Sequence, residues 1–268
     1  MIRTTQARCM VRHRSIDIEF SPRWSARALV VPPKVDGAEL VAQLALPAPR
    51  AVVVVNGSTE EGTSASSVLV SAIVDGVAAT IVDEGWTAVT GATDAGIFSL
   101  LGRAAATAGS LPAPWIGVAP LALVSWPGHP SRSGSDVVPL EPHHSHFVLV
   151  EGDRWGDETP ALLALTAALG RTGAPTAAVI AGGGAVARQE LSGHARAERP
   201  IVALRGTGRL ADEIAEATGN DAPDGGELAG IVRSGQVIVC DVTDGASFVA
   251  MALMAAMSEE GQLRRSGT

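Results

Sequence analysis

Four glycine-rich turns carry most of the chemistry this sequence could do. They read Asn56-Gly57-Ser58-Thr59, Thr90-Gly91-Ala92-Thr93-Asp94-Ala95-Gly96, Gly182-Gly183-Gly184 and Gly206-Thr207-Gly208-Arg209. Each follows a short apolar run and precedes a helical pattern. Glycine lets the backbone approach a ligand closely, and a helix opening beside it offers free N–H groups and a partial positive charge. That combination holds phosphate. Ser58, Thr90, Thr93 and Thr207 would add hydroxyl donors. Arg209 would add a guanidinium, which binds phosphate bidentately and stays charged. Any one of these turns is explained as well by a tight strand-to-helix connection; four on one predicted edge point to a ligand. The nearest approach to G-x-G-x-x-G, Gly206-x-Gly208, lacks its third glycine, so the standard dinucleotide fingerprint is not present.

Two other clusters have reactive side chains. In His143-His144-Ser145-His146, alternation along a strand would put His144 and His146 on one face. No Asp, Glu or Cys partner is apparent, so no metal site is expected and the histidines are read as organising a loop. Downstream, Glu151 and Asp153 lead into Arg154-Trp155-Gly156-Asp157-Glu158. The plain reading is a solvated turn and an acidic helix start, with Thr159-Pro160 helping the helix begin. The sharper reading gives Trp155 to a base and Glu158 to a ribose or to general-base work. Lys34 is the sole lysine, which sets aside Schiff-base and P-loop chemistry. Cys9 and Cys240 form no CxxC pair, so neither a disulfide framework nor structural zinc is expected.

The elements that must position these groups repeat from residue 50 onward. Apolar runs at Ala51–Val55, Thr87–Thr90, Trp115–Ala119, Phe147–Val150, Ala177–Ala181, Ile201–Leu204 and Val237–Cys240 barely alternate, as strands covered on both faces do. Helical patterns fall at 64–83, 96–108, 158–170, 185–194, 209–218 and 245–257. This predicts an α/β, Rossmann-like, mostly parallel doubly wound sheet. In such sheets ligands bind outside the carboxyl ends of the strands. The stretch 120–145, with Pro127, Pro130, Pro139 and Pro142, reads as a long functional loop. Residues 1–49 read as a small N-terminal appendage to a main domain at 50–268. Ile16–Phe20 alternates as a half-buried strand, Ala28–Val31 is a second short run, and Val35–Leu44 suits a helix, so an edge hairpin is expected.

Across 268 residues, 46% are apolar and the formal net charge is -8. A sizeable core is available, and the acidic balance argues against nucleic acid as a partner. A small anionic ligand remains compatible. No apolar stretch approaches the ~18 residues a membrane span needs, and no signal-peptide pattern follows the N-terminal arginines. A cytoplasmic protein with no membrane insertion is expected; self-association into a homo-oligomer stays open.

Taken together, the motifs resemble the SLOG superfamily, closest to the SLOG domain of melastatin-type TRP channels and its stand-alone prokaryotic relatives, over roughly residues 50–245. Thr90–Gly96 resembles T-G-G-x-x-x-G with Ala92 at the second glycine. Ile116-Gly117-Val118-Ala119-Pro120 resembles I-G-I-A-P, and Leu140–Phe147 resembles L-D-P-x-H-[ST]-H-F. Trp155-Gly156-Asp157-Glu158 resembles aromatic-G-x-E, and Gly206–Asp212 resembles G-[ST]-G-R-x-A-D. The resemblance implies a domain for nucleotide derivatives such as ADP-ribose or its cyclic relatives, with no cofactor. It carries phosphate contacts to Thr90, Gly91, Thr93, Gly208 and Arg209, and base packing to Trp155. Asn56, Gly57, Ser58, His146, Glu158, Gly183, Gly184, Gly206 and Thr207 complete the expected ligand site. Some relatives carry arginine where this chain has Leu162. A second branch, the phosphoribohydrolases often labelled lysine decarboxylases, carries P-G-G-x-G-T-x-x-E. Here Ala181 to Glu190 lacks the proline and the G-T but keeps the glutamate. A ligand sensor, a hydrolase using Glu158 or Glu190, and a scaffold that has lost its ligand are the three readings, the sensor leading.

Overall fold

The computed structural model describes residues 13–57, 66–129, 137–219 and 224–258. In chain order, β1 (Arg14–Ser21) and β2 (Trp24–Val31) form an antiparallel hairpin, followed by α1 (Gly37–Gln43). Then come β3 (Val52–Gly57) and a helix in three parts: α2 (Ser67–Ser71), a π-helical stretch (Ala72–Ala78) and α3 (Ala79–Asp83). Next are β4 (Thr87–Thr90), α4 (Gly96–Ala108) and β5 (Trp115–Pro120). The stretch expected to be a plain loop holds a 3₁₀ turn (Leu121–Leu123) and a two-stranded parallel pair, β6 (Val124–Ser125) with β7 (Val138–Pro139). The chain continues with β8 (His146–Val150), α5 (Thr159–Gly170), β9 (Thr176–Ala181) and α6 (Ala185–Arg196). Last are β10 (Ile201–Arg205), α7 (Arg209–Gly219), α8 (Gly226–Arg233), β11 (Val237–Asp241) and α9 (Ala246–Met257).

The main sheet runs β1-β2-β8-β5-β4-β3-β9-β10-β11, and only β1 is antiparallel to its neighbour. All seven expected strands from β3 onward are present. The N-terminal hairpin extends the same sheet, because β2 pairs in parallel with β8 from Arg27↔His146 to Val31↔Val150. Sequence patterning did not anticipate α8: Gly225, Gly226 and Gly230 dilute a short apolar stripe of which Ala229 and Ile231 are buried.

Successive residues of β3 feed opposite cores. Val53 and Val55 join the π-helical stretch, α4 and α9, whereas Val52 and Val54 join α1 and α5. α6, α7 and Ile231 of α8 cover β9 and β10 on the second face. Burial on both faces explains why these strands do not alternate in polarity. From β3 the chain winds outward through β4 and β5, then returns to lay β9 against β3 and winds the other way. The helix after β3 covers one face and the helix after β9 the other. A crevice therefore opens at the carboxyl ends of β3 and β9, the topological switch point of the sheet.

Candidate functional site

Each wall of this crevice is built by a turn that the sequence singled out. Gly57 ends β3 level with Ala181 of β9, and a side chain there would strike Ile97 and the Ala181 carbonyl. Asn56 is 1% exposed. Its Nδ2 donates to the carbonyls of Val54 and Val179 at 3.3 and 3.2 Å, tying β3 to β9 beneath the crevice. Its Oδ1 has no hydrogen-bond partner among the described residues. Ser58 lies outside the described residues.

Gly183 takes φ +91°, and Gly184 then caps α6 without any side-chain hydrogen bond. The first N–H groups of a twelve-residue helix are thereby presented at the switch point. The turn after β10 is locked to this one. The Thr207 hydroxyl accepts from Gly182 N–H at 2.8 Å and donates to the Leu204 carbonyl at 2.6 Å. The Ala211 N–H donates to the Gly182 carbonyl at 2.9 Å. Asp212 accepts from the N–H groups of Gly206 and Gly208 at 2.7 and 3.1 Å. These bonds fix Arg209 at the first position of α7 with φ +56°, a conformation costly for a residue with a side chain. Its Nη2 lies 3.7 Å from where a side chain on Gly184 would begin. The guanidinium and the open start of α6 face the same space.

The loop after β8 forms the next wall. Asp157 accepts from the N–H groups of Asp153 and Arg154, both at 3.1 Å, which folds the loop back on itself. Gly156 takes φ +105° against the first turn of α6; a side chain there would stand 3.6 Å from Val186 and 3.8 Å from Gln189. Trp155, beside it, is 39% exposed, unusual for an indole in this molecule. Glu158 is buried and accepts from Gly156 N–H at 2.7 Å. Burial pushes its carboxyl up to about 7, against the pull of that hydrogen bond. Glu190, buried on α6, is pushed up to about 8 by burial and by the Glu158 charge. Two carboxyls that resist joint ionisation thus sit under the crevice, a pattern common at functional sites.

The structure does not bring every expected residue here. Thr90 and Thr93 are fully buried behind the segment from Val138 to Glu141, which bonds the turn through Asp94 N–H to Pro139 and Glu141 N–H to Ala92. Gly91 gives way to the Phe98 ring. Thr90 Oγ1 meets His144 Nε2 at 2.7 Å, and His144 Nδ1 meets Glu141 at 2.8 Å. Glu141 also holds His143 Nδ1 at 2.6 Å. The sequence reading found no acidic partner for these histidines; Glu141 is that partner. Burial opposes its ionisation, yet the two imidazoles outweigh burial and hold its carboxyl below the usual range. His146 does not join His144. It starts β8 at the amino edge of the sheet, bonded to Ser145, and burial and Arg27 lower its pKa. Leu162, at the position of the relatives' arginine, is core.

Sequence reasoning also missed a cavity of about 410 Å³ on the carboxyl edge, lined by Leu121, Ala122, Val124, His129, Glu151, Gly152 and Asp153. The proline-rich stretch read as a functional loop was its signal. Among the described residues no group of three or more His, Cys, Asp or Glu is arranged to hold a metal, and no helix is long and apolar enough to cross a membrane.

A mostly parallel, doubly wound sheet flanked by helices on both faces defines a Rossmann-like α/β protein. The family model described as "SLOG in TRPM, prokaryote" matches residues 50–250, and the chain belongs to that family. Membership points to a nucleotide-related role. A search of curated proteins finds no match.

Proposed function

We propose that the crevice binds the phosphates of a nucleotide derivative of the ADP-ribose or cyclic ADP-ribose type, and that the chain acts as a soluble cytoplasmic sensor releasing that ligand intact. Arg209 carries the reading: it is held at φ +56° with its guanidinium toward Gly184 at the start of α6. Strained backbone of this kind persists where surrounding bonds over-determine it, and it clusters at ligand clamps. Arg209 and the N–H groups of α6 hold phosphate, and Trp155 covers the base. Calorimetry with ADP-ribose tests this. Arg209→Ala should lose about 10- to 150-fold in affinity, the equivalent of the ~1.5–3 kcal/mol of a charge-assisted hydrogen bond, with the fold intact. Unchanged affinity removes Arg209 from the site.

One observation favours a second reading, a hydrolase of phosphoribohydrolase type. Glu158 and Glu190 are buried with raised pKa values, so one can hold a proton while the other is ionised. Prolonged incubation with NAD, ADP-ribose and a nucleoside monophosphate, followed by chromatography, separates the two. Turnover that vanishes in Glu158→Gln or Glu190→Gln with binding retained makes the protein an enzyme.

A further inference from the structure

Beside the start of α6 the molecule buries two acids close together. Glu158 is 5% exposed and Glu190 7%. Glu158 stands at the head of α5 and holds the N–H of Gly156. Gly156 in turn lies against Val186 and Gln189 of α6, and Glu190 is the next residue along that helix. The two carboxyls are near enough for the charge of Glu158 to act on Glu190. The charged groups around them give little relief. Asp157 sets a further negative charge beside Glu158, and α5 carries no charged residue from Thr159 to Gly170. Arg188 of α6 pairs with Glu213, and the exposed Arg154 lies 3.7 Å from Asp153. His194, one turn beyond Glu190, is buried and held neutral. Arg209 approaches from α7, on the side of Gly184.

We propose that this pair couples ligand binding to proton uptake: an anion at the start of α6 is held best when Glu158 and Glu190 are both protonated. The inference rests on the phosphate site proposed above and concerns its regulation. Two carboxyls buried side by side resist joint ionisation, so the pair titrates near neutrality. Burial pushes Glu158 up to about 7, and burial with the Glu158 charge pushes Glu190 up to about 8. Between these values the free pair carries part of a negative charge beside α6. A phosphate brought there adds a like charge where water screens poorly, and the pair responds by taking up a proton. The sign follows from this. The carboxyl pKa values rise on binding, so affinity is full below the free values and falls as pH climbs through 7 and 8. The ligand supplies no titration of its own. The pyrophosphate of ADP-ribose is a diester, ionised throughout this range, so a proton taken up belongs to the protein. A rise of about one pKa unit is a factor of ten. It gives uptake of roughly half a proton near pH 7.5 and an affinity loss of about five- to tenfold from pH 6 to 8.5.

Calorimetry of the full chain with ADP-ribose near pH 7.5, in buffers of different ionisation enthalpy, counts the protons directly. The expected heat varies with the buffer and corresponds to net uptake, and the affinity weakens as pH rises. Glu158→Gln combined with Glu190→Gln should still bind ADP-ribose, with buffer-independent heat and an affinity flat across the range. The buffer series needs only the wild-type chain, so it decides the matter even where the double variant does not fold. Buffer-independent heat in a wild-type chain that binds ADP-ribose, or uptake that persists in the double variant, overturns the coupling and leaves the phosphate site standing. A chain that binds no ADP-ribose at any pH in the range overturns the proposed function, and the coupling with it.

Discussion

Replacing Glu190 by glutamine should make the protein more stable at alkaline pH and leave it nearly unchanged in acid. Glu190 is pushed from the ordinary 4.5 up to about 8 by burial and by the Glu158 charge. Between those values the folded chain keeps a proton that the unfolded chain has released. The stability tied to this group is therefore fully present below pH 4.5 and is lost as pH climbs through 8. A separation of 3.5 pH units at about 1.4 kcal/mol each sets an upper bound of about 5 kcal/mol. Local relaxation and water entry cut that, so the variant should gain roughly 1–3 kcal/mol near pH 9 and differ by less than about 0.5 kcal/mol near pH 5. Glutamine preserves the shape and never ionises, so nothing else in the packing need change. Thermal unfolding of both chains across this range reads the effect at about 2–4 °C per kcal/mol for a chain of this size. Glu158, at about 7, adds a second loss of the same sign centred lower, and because the two carboxyls are coupled the comparison reads the pair rather than Glu190 alone. Two unfolding curves that stay parallel across the range, or a wild-type chain that gains stability from pH 6 to 8 relative to the variant, would refute the buried pair.

Indole fluorescence should change when ADP-ribose binds, and the change should be absent in Trp155→Phe; the chain has five tryptophans, so a signal surviving in that variant assigns it elsewhere. Glu141→Ala should cost about 3–5 kcal/mol in urea unfolding, because the buried His144 and the half-buried His143 lose their acceptor; a loss under about 1 kcal/mol would show that the network does not hold the Thr90 turn. Since the Glu141 carboxyl is held below 4.5, its contribution is present above that value and lost as pH falls through its lowered pKa, opposite in sign to Glu190. A Glu141→Ala chain whose acid limb matches wild type would contradict this.

The fold was legible because its strands are covered on both faces. Runs such as Val52–Val55 and Ala177–Ala181 carry no alternation for solvent to impose, and the turns between them are marked by glycine. α8 escaped because three glycines interrupt so short a stripe. The site was legible only in part, since a motif names polar residues without saying which neighbours claim them. Thr90 and His144 sit 54 residues apart and meet only once β4, β5 and β8 are stacked, so their mutual bond was out of reach along the chain. Glu190 left a clearer trace: with His194 it falls on the stripe of Ala187, Leu191 and Ala195, charged and titratable groups where α6 should be apolar. In Gly206–Asp212 the separation is sharpest. Thr207 and Asp212 spend their hydrogen bonds inside the turn, one on the neighbouring glycine turn and one on the loop's own N–H groups. What those bonds accomplish is the placement of Arg209 at φ +56°. Of the side chains in that motif, the guanidinium is the one directed at the open start of α6, so ligand affinity should answer to Arg209 while Thr207 and Asp212 answer first in stability.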